Sequence, residues 1–327
     1  MNAPYKCEIC ESEQLTPLYA SEMMFGSTES FLYLKCEGCE TTYQPEKLDD
    51  YSKYYPKSYY SFQYKAPKTL AGKIRRIKRK LRNQYYYFNT GLIGRFLASA
   101  RPCPTNHLSR HVRLQTCMSI LEIGCGSGEM LHELGDLEIR KLVGIDPYID
   151  SDINFDNGVK IYQCATKDLL KKFSGEKFDL IIFNHALEHS LTPLDDLRIA
   201  NLLLTESGEI LVRIPVSGSI VSNEYKSYWW SLDAPRHTYI FSKKSMPLVA
   251  RDAGLVVART HDEGTIDDYI ASEQHKNGIS LLSEMSYVKT KDFSRFSETQ
   301  IAAWTIEIDR QNQRGTAAQA GFILKRA

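Results

Sequence analysis

From about residue 113 onward, short apolar runs alternate with segments whose apolar residues recur at helical spacing, and turn residues separate the two. The runs Ser119–Ile123, Lys141–Ile145, Val159–Tyr162, Phe178–Phe183, Glu209–Ile214, Leu255–Arg259 and Ala320–Lys325 are rich in β-branched and aromatic residues and predict strands. Helices fill most of the gaps. Because a parallel crossover needs an intervening element, this alternation predicts an α/β fold with a mainly parallel sheet covered on both faces. The stretch of about 60 residues before the last run includes the helix-like "SETQIAAWTIEIDRQNQ". It is too long for a bare loop and predicts structure of its own.

The first 112 residues follow a different pattern. "SFLYLKC" predicts a strand leading into a cysteine pair, and "YSKYYPKSYYSFQY" is a tyrosine-rich stretch that either packs on what precedes it or offers stacking faces to a ring-bearing ligand. Leu70, Ile74, Ile77 and Leu81 then lie at helical spacing, with seven basic residues and no acid from Lys73 to Arg82. An amphipathic basic helix is expected there. It is either a connector whose apolar stripe docks on the main domain, or a contact for an anionic partner such as a membrane surface or a phosphate-bearing or lipid-linked substrate. "SARPCPTNHLSRH", with two prolines, predicts a loop. The expected division is residues 1–60, 61–112 and 113–327.

Composition adds limits. Hydrophobic content of 43% and charged content of 25% are those of a globular chain, and 41 Lys+Arg against 40 Asp+Glu give no general attraction to nucleic acid. In the first module Lys6 and Lys35 are offset by Glu8, Glu11, Glu13, Glu37 and Glu40, so a nucleic-acid partner is not expected. No apolar window is long enough to span a bilayer, and Met1–Cys10 holds no apolar export signal. The expected location is cytoplasmic, with the inner membrane surface within reach of the basic helix.

The cysteines change the picture of the N-terminal module. Cys7-x2-Cys10 and Cys36-x2-Cys39 form two knuckles, and such a pair presents four thiolates to one tetrahedral ion. A zinc ribbon is predicted. With no open coordination position its role is structural.

"MSILEIGCGSGEM" places Gly124, Gly126 and Gly128 after the first strand of the main domain, with Glu122 just ahead of them. Glycines let the backbone turn sharply and approach a ligand, and Asp146, at the end of the next strand in "VGIDP", is placed to accept from ribose hydroxyls. A dinucleotide site has the spacing G-x-G-x-x-G, and Glu122 would repel a pyrophosphate. S-adenosylmethionine suits the site, since it has a ribose, no phosphate, a sulfonium and an ammonium.

"FDLIIFNHALEHS", "GEILVRIP", "APRHTYIFSKKSM" and "DAGL" follow in order, and with the glycine loop they make residues 113–327 resemble the class I S-adenosylmethionine-dependent methyltransferases. The resemblance implies a Rossmann-like sheet of seven strands whose last, "AGFILKRA", is antiparallel. It also implies cofactor contacts from Glu122, Gly124, Gly126, Gly128, Asp146 and Asn184. Where relatives carry an acid that reads adenine, this chain has "QCATKDLL", so contacts from Ala165 and Thr166, or from Asp168, are implied instead. The two-knuckle module joined to such a domain is similar to bacterial methyltransferases of sugar and surface-glycan pathways.

Methyl transfer from a sulfonium is an in-line displacement, so the protein chiefly aligns the acceptor, and a base is needed only where the acceptor loses a proton. Candidate bases are His185, Glu188, His189 and His237, with Tyr239 beside the last; Tyr225, Tyr228, Trp229 and Trp230 are candidate acceptor walls. The expected activity is methylation of a nucleotide- or lipid-linked sugar or surface-glycan intermediate. The alternatives are a quinone-like small aromatic acceptor, then RNA, and a cofactor-binding scaffold without chemistry.

Overall fold

The computed structural model describes residues 5–100 and 106–327. Its strands are β1 Leu15–Ser21, β2 Ser30–Cys36, β3 Thr42–Tyr43, β4 Ser119–Ile123, β5 Lys141–Asp146, β6 Ile153–Asn154, β7 Lys160–Gln163, β8 Phe178–Asn184, β9 Leu204–Pro215, β10 Tyr239–Ile240, β11 Leu255–Asp262 and β12 Gln319–Arg326. The larger sheet has the order β11-β12-β9-β8-β4-β5-β7-β6. Strands β7, β5, β4, β8 and β9 are parallel, and β12 inserts antiparallel between β9 and β11. This is the expected Rossmann-like methyltransferase sheet, with one addition: the two-residue β6 lies antiparallel on the β7 edge.

The central strands are largely apolar because both sheet faces are covered. Leu121, Ile123, Ile181 and Phe183 enter one core, while Ile120, Leu180 and Ile182 enter the other. Parallel strands carry their carboxyl ends to one edge, and β4, β5 and β8 therefore deliver Glu122, Asp146 and Asn184 to the same rim.

The N-terminal strands form a second sheet, β1-β2-β3-β10. Its last member comes from the region after β9, with Tyr239 opposite Tyr43 and Ile240 opposite Thr42. Cys7, Cys36, Cys39 and Tyr43 belong to the same buried cluster as Ile123 and Phe183. The ribbon thus shares a core with the main sheet.

The basic helix spans Leu70–Phe88 and starts at Thr69, whose side chain accepts from the Gly72 amide. It docks the opposite way to the connector expectation. Arg76 binds Asp136 and Asp156, Arg79 binds Glu133 and Lys80 binds Glu138, while Leu70, Ile74 and Ile77 face outward. The acids that draw its basic face inward follow the glycine loop, with Asp156 beyond β6. A second helix, Leu92–Ala100, folds back so closely that a Cβ on Gly94 would lie 2.2 Å from the Leu81 carbonyl oxygen. The predicted proline loop falls partly on 101–105, outside the described residues, and Asn106–His111 is helical.

The insertion before β12 has its own helices, Asp267–Lys276, Tyr287–Thr290 and Glu298–Arg314. Amides of Leu281 and Leu282 donate to the carbonyls of Met23 and Met24, joining the insertion to the N-terminal module.

Candidate functional site

A cavity of about 660 Å³ opens at the carboxyl ends of β4, β5 and β8. The glycine loop forms its floor, with Gly124 at φ +73° and Gly126 at φ +54°. A Cβ at Gly124 would meet the Ala186 methyl at 2.6 Å, and one at Gly126 would meet the Ser61 carbonyl oxygen at 2.4 Å, so both conformation and space demand glycine. Asp146 braces the loop: one carboxylate oxygen accepts from the Gly126 amide at 2.9 Å and the other from the Tyr148 amide at 2.9 Å.

Glu122 is buried beside this loop, and its Oε2 has no hydrogen-bond partner among the described residues. Burial first, then the nearby Asp146 carboxylate, pushes its carboxyl up to about 8, against the pull of Arg213. An orphaned buried carboxyl fits a ligand that brings a cation and misfits one that brings phosphate. Ala165, Thr166 and Asn184 also line the cavity, and Arg213 donates to the Asn184 side-chain oxygen. Gly124 and Gly126 line it as well, whereas Gly128 and Asp168 are outside the lining. Gly128 caps the short helix that follows.

The tyrosine-rich stretch forms the roof. Ser61 accepts at its carbonyl oxygen from both the amide and the hydroxyl of Ser127, and the Tyr64 amide donates to the Ser127 hydroxyl. Tyr55 stacks on Tyr148 at 4.8 Å and 13°, and Tyr59 and Tyr60 complete the wall. Of the two readings of this stretch, the geometry shows packing on the glycine loop, and it also places Tyr55, Tyr59 and Tyr60 in the cavity lining. Tyr225, Tyr228, Trp229 and Trp230, expected as acceptor walls, are absent from the cavity lining. Tyr225 and Trp229 are buried against Tyr269 and Ile308 beneath the insertion, and Trp230 donates its indole N–H to Asp268.

The three candidate bases within "HALEHS", His185, Glu188 and His189, lie close to the fourth, His237. His185 sits at the cavity wall at φ +53°, a left-handed conformation uncommon for a non-glycine residue, with Nδ1 3.5 Å from a Glu188 oxygen. Glu188 is fully buried, and neither of its oxygens has a hydrogen bond among the described residues. Burial alone would raise its carboxyl, but His185, His189 and His237 outweigh that and hold it below the ordinary range. His189 lines the cavity with Nδ1 2.9 Å from the Tyr55 hydroxyl and 3.1 Å from the Arg236 carbonyl oxygen. Burial, then the neighbouring His237, lowers its imidazole to about 4.

His237 stands behind this wall rather than in it. Its Nδ1 bonds the Ser231 carbonyl oxygen at 2.7 Å, which assigns the proton to that nitrogen because a carbonyl only accepts. Its Nε2 is 4.0 Å from Glu188 and 3.9 Å from Asp233. Tyr239 is not brought to the histidines: on β10 its hydroxyl donates to Glu8 of the ribbon. A strand alternates its side chains, and pairing with β3 turns this one toward the cysteines.

The four ribbon cysteines lie together, with sulfur separations of 3.6 Å for Cys7–Cys39 and 3.5 Å for Cys10–Cys36. Tetrahedral zinc with Zn–S near 2.3 Å requires sulfurs about 3.8 Å apart. The donor set fits zinc. The ribbon also holds the segment that carries His237: the Tyr33 hydroxyl donates to the His237 carbonyl oxygen at 2.8 Å, and fully buried Arg236 pairs with Glu22 at 3.0 Å and with Asp233 at 2.6 Å.

A family model described as a methyltransferase domain matches residues 84–260. The chain belongs to this methyltransferase family. With the observed strand order and glycine loop, the methyltransferase is an S-adenosylmethionine-dependent enzyme. A sequence comparison with curated proteins gives no match. Among solved structures, the methyltransferase is similar to a chain from a complex of the Haloferax volcanii Trm112 methyltransferase activator with a methyltransferase, at 16% identity and TM-score 0.46, covering 71% of this chain and 92% of that one. An S-adenosylmethionine-dependent methyltransferase from Archaeoglobus fulgidus gives 17% identity and TM-score 0.41, covering 85% of this chain and 100% of that one. The YcgJ protein from Bacillus subtilis gives 16% and 0.42, covering 67% and 96%.

Proposed function

We propose that the methyltransferase moves the methyl group of S-adenosylmethionine to a sugar or surface-glycan intermediate carried on a nucleotide or a lipid. The observation that carries this reading is that one continuous cavity is lined both by Glu122, Asp146 and the glycine loop and by Tyr55, Tyr60, Tyr148, His185 and His189. Aromatic faces stack on sugar rings, and imidazoles exchange hydrogen bonds with hydroxyls. When bound, S-adenosylmethionine supplies a methyl group already activated by its sulfonium. Glu122 would meet the cofactor's cationic end, and Asp146, which holds the loop, would keep lone pairs for the ribose. Ala165, Thr166 and Asn184 complete that half of the site.

His185 takes the acceptor's proton. It reaches the cavity with a Glu188 oxygen 3.5 Å from its Nδ1, a carboxylate that fixes the ring and stabilises the imidazolium as it forms. His189, lowered to about 4, is a poor base at neutral pH and a good neutral hydrogen-bond partner. His237 acts through Glu188 and His189 as a positioning residue, and zinc in the ribbon keeps its segment in place.

The test is transfer of labelled methyl from S-adenosylmethionine to a panel of nucleotide sugars, with catechols and quinols as the competing acceptor class. Turnover confined to the phenolic compounds would replace the sugar reading with the quinone-like alternative, since the same tyrosines stack on aromatic rings.

A further inference from the structure

We propose that the helix pair Leu70–Phe88 and Leu92–Ala100 docks the enzyme on an anionic lipid surface, lying in the headgroup region rather than crossing it. This inference does not depend on the identity of the acceptor. Leu70, Ile74 and Ile77 follow one another at helical spacing along the outer face of the first helix and are 76%, 47% and 59% exposed. On the second helix Leu92, Ile93 and Phe96 are 85%, 65% and 73% exposed. Gly94 is pressed against Leu81 and Tyr85, so Leu92 and Phe96, each two residues away from it, point away from the first helix. Six large apolar side chains are thus exposed on the two packed helices, more than the scattered single ones normal on a surface.

Charge selects the occupant. No Asp or Glu occurs between Asp50 and Glu122. The arginines that face inward, Arg76 and Arg79, are committed to Asp136, Asp156 and Glu133. Lys73 and Lys78 are exposed on either side of the apolar stripe and make no salt bridge among the described residues. An apolar stripe flanked by lysines is the arrangement by which an interfacial helix buries its apolar side chains while ammonium groups reach anionic headgroups. A second copy of the chain would bring like charges together. A nucleic acid would leave the apolar stripe in water. No helix among the described residues is long and apolar enough to cross a membrane, consistent with an in-plane contact.

The experiment is co-sedimentation of the purified full-length enzyme with phosphatidylcholine vesicles, with and without phosphatidylglycerol, at low and high salt. Binding to the phosphatidylglycerol vesicles is expected, weakened by salt. Leu92→Ser with Phe96→Ser, and separately Lys73→Glu with Lys78→Glu, should each weaken it on the order of tenfold. Both double variants should keep the thermal midpoint and S-adenosylmethionine affinity of the parent, because these side chains touch neither the core nor the cavity. No binding to anionic vesicles at low salt, or binding that neither double variant weakens, overturns the proposal. So does a dimer in light scattering that Leu92→Ser with Phe96→Ser dissociates, which would assign the surface to a second copy. Binding to transfer RNA in place of vesicles would overturn it equally.

Discussion

The proposed cofactor preference turns on a single residue, Glu122. A carboxyl held up to about 8 while an unfolded chain has it near 4.5 contributes stability to the free enzyme that is full below about pH 4.5 and is lost as pH rises through 8. The slope in that window is at most about 1.4 kcal/mol per pH unit. A cationic ligand reverses the preference, so binding of S-adenosylmethionine near pH 7 should expel a proton from Glu122. Titration calorimetry in two buffers of different ionisation enthalpy measures that proton, and Glu122→Gln should remove it; identical proton release in both proteins would place the cationic group elsewhere. At the acceptor end, His185→Ala should lower turnover by roughly 10²–10⁴ with cofactor affinity retained, and Glu188→Gln should lower it less while shifting the pH–rate profile. His237→Ala should act more weakly than His185→Ala, since its ring is outside the cavity, and Tyr239→Phe should leave turnover nearly unchanged. A larger loss in His237→Ala than in His185→Ala would return the proton to His237. The glycine loop was legible in the sequence because its chemistry is local, three glycines and two acids at fixed spacing. Glu188 was legible only as one more candidate base; its burial close to His185, His189 and His237 was not, since the fold alone brings the residues from the two segments together.

Among the elements, the strands of the main sheet were readable to within a residue or two at most ends, because strands buried on both faces are continuous apolar runs. Strand β9 begins earlier than expected, at Leu204, where "TESGE" carries too few apolar residues to signal a strand. The basic helix was legible as a helix but not in its orientation. Its apolar stripe implied docking through leucine and isoleucine, and only the tertiary position of Asp136, Glu133 and Asp156 turns its arginines inward. The roof over the cofactor cavity was hidden for a similar reason: the Ser61–Ser127 hydrogen bonds join residues distant in sequence, and no spacing rule anticipates them. Those bonds make the tyrosine-rich stretch and the glycine loop one hydrogen-bonded unit. Adding S-adenosylmethionine should therefore slow amide exchange in residues 55–64 as well as in 124–128, read by mass spectrometry of peptic peptides. Protection confined to the glycine loop would show that the roof moves independently of the floor.

For the molecule as a whole, the shared core decides how zinc and fold are coupled. Cys36 and Cys39 are buried in the same apolar cluster as the central strands, and β10 closes the ribbon sheet with residues from beyond β9. Arg236, fully buried, joins Glu22 of the ribbon region to Asp233 of the main domain; removing one partner of such a pair leaves an uncompensated buried charge. A ribbon built as an independent bead would melt separately from the sheet when its metal was lost. Here the holoenzyme should instead unfold in one calorimetric transition, and Cys36→Ser should lower that whole transition together with zinc content, because metal binding to such a site is folding free energy. The same substitution should reduce turnover more than S-adenosylmethionine affinity, since the ribbon holds the Arg236–His237 segment directly through Tyr33 and Glu22 but reaches the glycine loop only through the roof. A zinc content and melting temperature unchanged in Cys36→Ser would refute the four-thiolate site. A separate low-temperature transition that Cys36→Ser abolishes while the main one stays fixed would mean the ribbon and the catalytic sheet are energetically distinct, and that the shared cluster contributes little cooperativity.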